Sequence, residues 1–204
     1  NIIAYCYGLE QLHAGDEIVI SIANHHANLI PWQFVARKTG AALRYVYLDE
    51  NGNFDMEGFE ALLGSRTKIV AVTAAVNTTG VVFPVQDIIA AAHKHGAVAV
   101  IDAAQSIAHF PHDVAAWDCD FLAFSGHKLY AEFGAGVLYA KRTLIDNMPP
   151  FLYGGSMIEF VGEQTSEFKA GGAKYEGGTL DTAAIHSLKL SLDFLKSLGL
   201  DAVH

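Results

Sequence analysis

The feature that most constrains this chain is a set of apolar runs of strand length that do not alternate with polar residues. Ala97-Val98-Ala99-Val100-Ile101 is the clearest case. A strand with one wet face alternates at period two, so an unbroken apolar strand must be covered on both faces. That condition is met by a mostly parallel sheet between two layers of helices. Strands are expected at residues 17–22, 42–48, 68–74, 97–103, 120–125 and 136–140. Helix-period segments fall between several of them. One spans residues 31–38 and stops near Gly40; a short one is capped by Asp55 and ends near Gly64; another spans 85–95, with Pro84 ahead and Gly96 as its stop. Strands and helices in turn, with short connections, predict an α/β fold of three layers, α/β/α. From residue 151 to 179 the pattern breaks around Gly154-Gly155, Gly171-Gly172 and Gly177-Gly178, and a long loop is expected. A last helix follows, with Ile185, Leu188, Leu192 and Leu195 as its apolar stripe.

The 204 residues, 51% of them hydrophobic, suffice for one sizeable core. Thirteen Lys plus Arg against 22 Asp plus Glu give a net charge of -9. Such a surface repels phosphate backbones and anionic lipid heads, so neither nucleic acid nor a membrane surface is an expected partner. No apolar run is long enough to span a bilayer. Cys6 and Cys119 form no CxxC pair or disulfide framework, which suits a reducing compartment, and both read as small buried apolar residues. The chain begins at Asn1, without Met, and ends at His204 just after an apparent helix, so it is expected to be one piece of a longer protein.

In open α/β sheets ligands gather beyond the carboxyl ends of the strands. Four predicted strands end there in polar residues: Asn24-His25-His26, Asn77, Asp102 with Gln105, and Ser125-Gly126-His127-Lys128. Each has an ordinary alternative. Asp102 could cap a helix, Asn77 could shape a turn, Lys128 could be a surface lysine, and His25 and His26 could be exposed loop residues. Their joint fall on one sheet edge suggests a lysine-bound aldehyde cofactor. An imine-forming lysine needs a neutral amine. Pyridoxal phosphate also needs an anion that keeps its ring nitrogen protonated.

These segments resemble those of the group II cysteine desulfurases and selenocysteine lyases, within the class V aminotransferase superfamily. Ser125-Gly126-His127-Lys128-Leu129-Tyr130 is similar to the family's cofactor-lysine motif. Asn24-His25-His26-Ala27-Asn28-Leu29-Ile30-Pro31-Trp32, Asp102-Ala103-Ala104-Gln105 and Asn77-Thr78-Thr79-Gly80 resemble three further family segments at fitting spacing. The resemblance implies the large domain of fold type I, aspartate aminotransferase-like, pyridoxal-phosphate enzymes, spanning residues 1–204. It implies that Lys128 carries the cofactor and shuttles the substrate α-proton, Asp102 pairs with the ring nitrogen, Gln105 bonds the ring hydroxyl, and His25 stacks on the ring. It also implies that Ser125 and His127 hold the phosphate, that Asn77 contacts cofactor or substrate carboxylate, and that Thr179 reaches the phosphate of a neighbouring subunit in a homodimer. The implied substrate is L-cysteine or L-selenocysteine, with a sulfur-acceptor protein as partner, a place in iron–sulfur cluster assembly or selenium recycling, and a cytoplasmic location. The family's glycine-rich phosphate segment is expected before Asn1. Its catalytic loop cysteine, its carboxylate-binding arginine and the C-terminal small domain are expected beyond His204.

The chain departs from the family at Asn24 (usually Glu), Ala131-Glu132-Phe133 (usually Gly-Pro-Thr/Ser), Lys174 and Leu180-Asp181. Three other readings compete. One is a different reaction on the same scaffold, such as an aminotransferase or epimerase. Another is a metal-dependent hydrolase built on His109 and His112, although Pro111 disrupts any helix that would align their imidazoles. The third is a non-catalytic module that keeps only the fold.

Overall fold

The computed structural model describes residues 1–203. A π-helical turn, Ile3–Gly8, runs into α1 (Leu9–Gln11). Then come β1 (Glu17–Ser21), α2 (Ile30–Thr39), β2 (Ala42–Val46), α3 (Met56–Leu62), β3 (Thr67–Thr73), α4 (Val85–Lys94), β4 (Val98–Asp102), β5 (Phe121–Ser125) and β6 (Gly136–Ala140). After α5 (Arg142–Ile145) the chain forms β7 (Ile158–Val161) and β8 (Ser166–Phe168), then α6 (Thr182–Leu198) and α7 (Leu200–Val203).

The predicted strands all form. They make a six-stranded sheet in the order β2-β1-β3-β4-β5-β6. The pairs from β2 through β5 are parallel, and β6 runs antiparallel to β5. Only a short turn segment joins β5 to β6, too little for the helical crossover that parallel pairing requires. The unbroken apolar runs are explained by the layers. Val19, Val70, Val72, Ala99, Ile101 and Leu122 face a core shared with Phe59 of α3 and Ile88 and Ile89 of α4. Their strand neighbours Ile18, Ile20, Ile69, Ala71, Val100 and Phe121 face a second core shared with Ile3, Trp32 and Val35. The sheet is thus buried on both sides, as a three-layer α/β/α structure.

Local signals hold as well. Asp55 accepts the Gly58 amide at 2.9 Å and caps α3. Gly40 ends α2 with φ 78°, a left-handed conformation open to glycine without strain.

Two expectations are corrected. The 151–179 segment is not one loop: β7 and β8 pair antiparallel, and a 3-10 turn, Gly171–Tyr175, follows. These strands are short and almost wholly exposed, so no burial pattern marks them. The stripe of α6 is also displaced. Its buried residues are Ala184, Leu188, Ser191 and Leu195, whereas Ile185 is 45% exposed and Leu192 36%. The helix turns its mixed face inward because Ser191 finds a carbonyl there.

Candidate functional site

The strand order reverses at β1, which pairs with β2 on one side and β3 on the other. This switch point is where open α/β sheets leave a crevice. A cavity of about 500 Å³ lies between the loop after β1 and the carboxyl ends of β4 and β5, lined among others by His25, Asn28, Trp32, Asp102, Ser125, His127 and Lys128. Its size falls within the roughly 300–1,000 Å³ of small-molecule sites.

Asp102 is the last residue of β4, opposite Thr73 on β3 and Ala123 on β5. Its carbonyl accepts the Ala74 amide at 2.8 Å, which locks the strand end. Its side-chain Oδ1 accepts the Ala104 amide at 2.9 Å. The carboxylate therefore plays the turn-capping part and also faces the cavity.

Lys128 lies on the 3-10 turn Gly126–Leu129, directly after β5. It makes no hydrogen bond, ion pair or ring contact among the described residues. The turn itself is held firmly. The Gly126 amide donates to Ala135 O at 2.8 Å, and a Cβ at Gly126 would stand 3.0 Å from that oxygen. Ser191 Oγ of α6 donates to Leu129 O, and Leu129 packs with Leu188 and Leu195. A free amine on a fixed turn is the arrangement a covalent carrier requires.

His25 precedes the 3-10 turn His26–Asn28, and its Nδ1 accepts the Ala27 amide at 3.2 Å. In the neutral ring Nε2 then carries the proton. The loop is tied down by Asn24. Its Nδ2 donates to Asn28 O at 3.2 Å and Ala71 O at 2.9 Å, and its Oδ1 accepts the Thr73 amide at 3.0 Å. The carboxamide serves donor and acceptor partners at once, which an ionised carboxylate cannot do. The departure from Glu at this position thus has a structural use.

Ser125 and His127 line the cavity. His127 also stacks on Phe133, with centroids 4.9 Å apart. Phe133 belongs to the divergent Ala131-Glu132-Phe133 segment, so the departure reaches a cavity residue directly. Asn77 and Gln105 instead line a separate cavity of about 400 Å³ with His109. The two spaces border one turn, at Ala104 and Gln105. Thr179 is exposed and lines none of these spaces.

Asn28 escaped the sequence reading as a site residue. Its Oδ1 accepts Trp32 Nε1–H at 3.0 Å, while its buried Nδ2 has no partner among the described residues. A buried donor left unpaired costs about 1–3 kcal/mol.

Neither cysteine lines the Lys128 cavity, and both are buried. Burial, with Asp120 adding repulsion, pushes the Cys119 thiol up to about 12, and burial raises Cys6 also. Both stay protonated and unreactive near neutrality. His112, half of the hydrolase reading, has both ring nitrogens engaged, by Ser106 Oγ at 2.8 Å and Phe110 O at 2.7 Å. Among the described residues no group of three or more His, Cys, Asp or Glu is placed to hold a metal ion. No helix among them is long and apolar enough to cross a membrane.

The donor set fits pyridoxal phosphate. A free amine, a fixed carboxylate, an imidazole, and a hydroxyl with a second imidazole all border one space of suitable size.

The pattern of the family described as Aminotransferase class-V matches residues 1–204. A probable cysteine desulfurase of Treponema pallidum is 52% identical over all of this chain and half of its own length. The solved structure of a cysteine desulfurase from Escherichia coli superposes with a TM-score of 0.96 at 38% identity, over 98% of this chain and 50% of that one. A cysteine desulfurase from Thermococcus onnurineus gives 0.93 at 33% identity, over 98% of this chain and 50% of its own. The chain spans about half the length of the relatives it matches. Its sheet order, its Lys128 turn and its likeness from end to end make this chain a member of the class V aminotransferase family.

Proposed function

We propose that this chain is the cofactor-binding large domain of a pyridoxal-phosphate-dependent cysteine desulfurase, which converts L-cysteine to L-alanine and leaves the sulfur as an enzyme persulfide. One observation carries the reading: the Lys128 amine, unpartnered among the described residues, and the fixed Asp102 carboxylate border one cavity at the carboxyl ends of β4 and β5. The relatives named cysteine desulfurase support the choice of reaction.

Pyridoxal phosphate, when bound, supplies an electron-poor ring that takes up the electron pair released at the substrate Cα. The residues of the chain do the rest. Lys128 holds the cofactor and then moves the proton at Cα. Asp102 keeps the ring nitrogen protonated, its orientation set by the Ala104 amide. His25 covers one ring face, on a loop that Asn24 anchors. Ser125 and His127 receive the phosphate. Gln105 and Asn77 serve the ring hydroxyl and the substrate carboxylate from the adjoining space. Thr179, exposed here, reaches the cofactor of a second copy in a homodimer. The sulfur-accepting thiol is neither Cys6 nor Cys119, since both are buried and lie off the cavity. Two unpaired cysteines suit a reducing, cytoplasmic setting. A sulfur-acceptor protein and L-selenocysteine as alternative substrate complete the reading.

The test uses the protein at its natural length, loaded with pyridoxal phosphate. The parent is expected to show a visible absorbance band and to release alanine from L-cysteine. Lys128→Ala is expected to lose the band and to slow alanine release by about 10²-fold or more, the range of a removed acid–base group. A Lys128→Ala variant that keeps both refutes the assignment. Running L-selenocysteine in parallel decides the substrate preference.

A further inference from the structure

His127 borders the cavity from the exposed side of the lysine turn. Among the described residues its side chain makes no hydrogen bond or ion pair. Its one ring contact there is with Phe133, the centroids 4.9 Å apart and the planes 25° apart. A stack of this kind covers one face of the imidazole and leaves its edge, where both nitrogens sit, free to hydrogen-bond.

Phe133 has no packing role that would account for it. It is 81% exposed and joins no core, whereas Ala131 and Ala135 on either side of it pack with Leu129, Leu188 and Leu195. Single exposed apolar side chains are common and need no explanation by themselves. This one differs because its backbone is pinned on both sides. The Glu132 amide donates to Ser187 Oγ at 2.9 Å, and Ala135 O accepts the Gly126 amide at 2.8 Å. Gly134 has φ 111°, and a Cβ there would stand 3.1 Å from Asp181 Oδ2 and 3.4 Å from the Ala184 Cβ. The ring is therefore carried at a set place beside His127, although water reaches most of it. Without such a neighbour an exposed imidazole samples several rotamers, and ordering it when a ligand arrives costs affinity. Phe133 also lies in the segment Ala131-Glu132-Phe133, where the chain departs from the family's usual residues, so the stack is a feature of this chain.

We propose that Phe133 is a positioning residue of the cavity, whose stack on His127 fixes the imidazole edge toward the anionic phosphate of the cofactor. The proposal rests on the cofactor reading above. It predicts a selective effect: affinity for the phosphate-bearing cofactor depends on the Phe133 ring, and affinity for the same ring system without phosphate does not.

Two variants of the protein at its natural length test this. Phe133→Leu keeps an apolar side chain and removes the aromatic face. Phe133→Tyr keeps the face. Circular dichroism and size-exclusion chromatography compare their folding and association with the parent. Absorbance titration gives the affinities for pyridoxal phosphate and for pyridoxal. Phe133→Leu is expected to bind pyridoxal phosphate about three- to tenfold more weakly, with pyridoxal unchanged, and Phe133→Tyr to bind both as the parent does. A Leu variant that matches the parent for pyridoxal phosphate overturns the proposal. So does equal weakening for both ligands, which marks a structural or interface role, and so does a Tyr variant as weak as the Leu variant. A Leu variant that fails to fold contradicts the exposure on which the proposal stands. A parent that takes up no pyridoxal phosphate overturns the cofactor reading together with this one, whereas a parent that binds normally beside an indifferent Leu variant overturns the Phe133 assignment alone.

Discussion

Single residues of this chain owe their behaviour to burial and to one or two partners. His112 is the clearest example. A carbonyl only accepts, so His112 Nδ1 carries the proton toward Phe110 O, and Nε2 accepts the Ser106 hydroxyl. Burial holds its pKa below the usual imidazole range, outweighing the Phe110 carbonyl, which pulls the other way. With the folded value below the unfolded one of about 6.5, the unfolded state binds more protons as pH falls. The contribution to stability is therefore present above about pH 6.5 and fades as the pH drops through that value. The urea midpoint is expected to be lower at pH 5 than at pH 7.5, and His112→Gln is expected to narrow that gap. An unchanged gap in the variant shows that other groups set the acid limb. Cys119 offers a simpler check. With its thiol pushed up to about 12, native protein at pH 8 is expected to leave it unmodified by a thiol-specific disulfide reagent, whereas denatured protein reacts at once. Rapid native labelling of Cys119 contradicts its buried placement. Asp102 shows how much a residue type tells in advance. The sequence left it open as a helix cap or a cavity carboxylate; the structure has a turn and not a helix after it, whose Ala104 amide its Oδ1 accepts, and puts the residue on the cavity wall.

At the scale of elements, α6 decides how firmly the lysine turn is held. Leu188 is 8% exposed and packs with Leu129 and Leu195, while Ile185, three residues away, is 45% exposed. Leu188→Ala is expected to cost about 2–5 kcal/mol, as a cavity-forming substitution does. Ile185→Ala is expected to cost about 0.5 kcal/mol or less, as a surface change does. Chemical denaturation of the two variants measures both, and equal costs refute the burial pattern described for α6. The apolar periodicity of the helix pointed at Ile185 and Leu192 as well, since hydrophobicity alone cannot say which side meets the core. Two of its three Ser residues carried the missing information. Ser191 Oγ reaches Leu129 O, and Ser187 Oγ accepts the Glu132 amide at 2.9 Å, so the polar positions face the protein. The β7–β8 hairpin was missed for the opposite reason: exposed strands without alternation look like loop.

For the whole molecule, the three layers were legible because each strand announced two buried faces. Their order in the sheet was not, yet that order puts Lys128 and Asp102 beside the loop after β1. The dimer reading has a test at this scale. If Thr179 serves the cofactor of a second copy, mixing Lys128→Ala with Thr179→Ala protein creates hybrids with one intact site. Activity above that of either variant alone is then expected after subunit exchange. Failure to recover, with exchange verified by size and mass, places the action of Thr179 within its own chain or nowhere.

The amino-acid sequence by itself determined where the chain is extended or helical, that the sheet is covered on both faces, and which residues are suited to hold an aldehyde cofactor. Those properties follow from local periodicity and side-chain chemistry. Only the tertiary structure decided which of these residues share a space. It placed Asn77 and Gln105 in a cavity apart from Lys128, turned α6 by one face, and left the Asn28 donor unpaired. These outcomes depend on strand order and on contacts between distant segments, where many arrangements share one hydrophobic pattern and hydrogen-bond partners select among them.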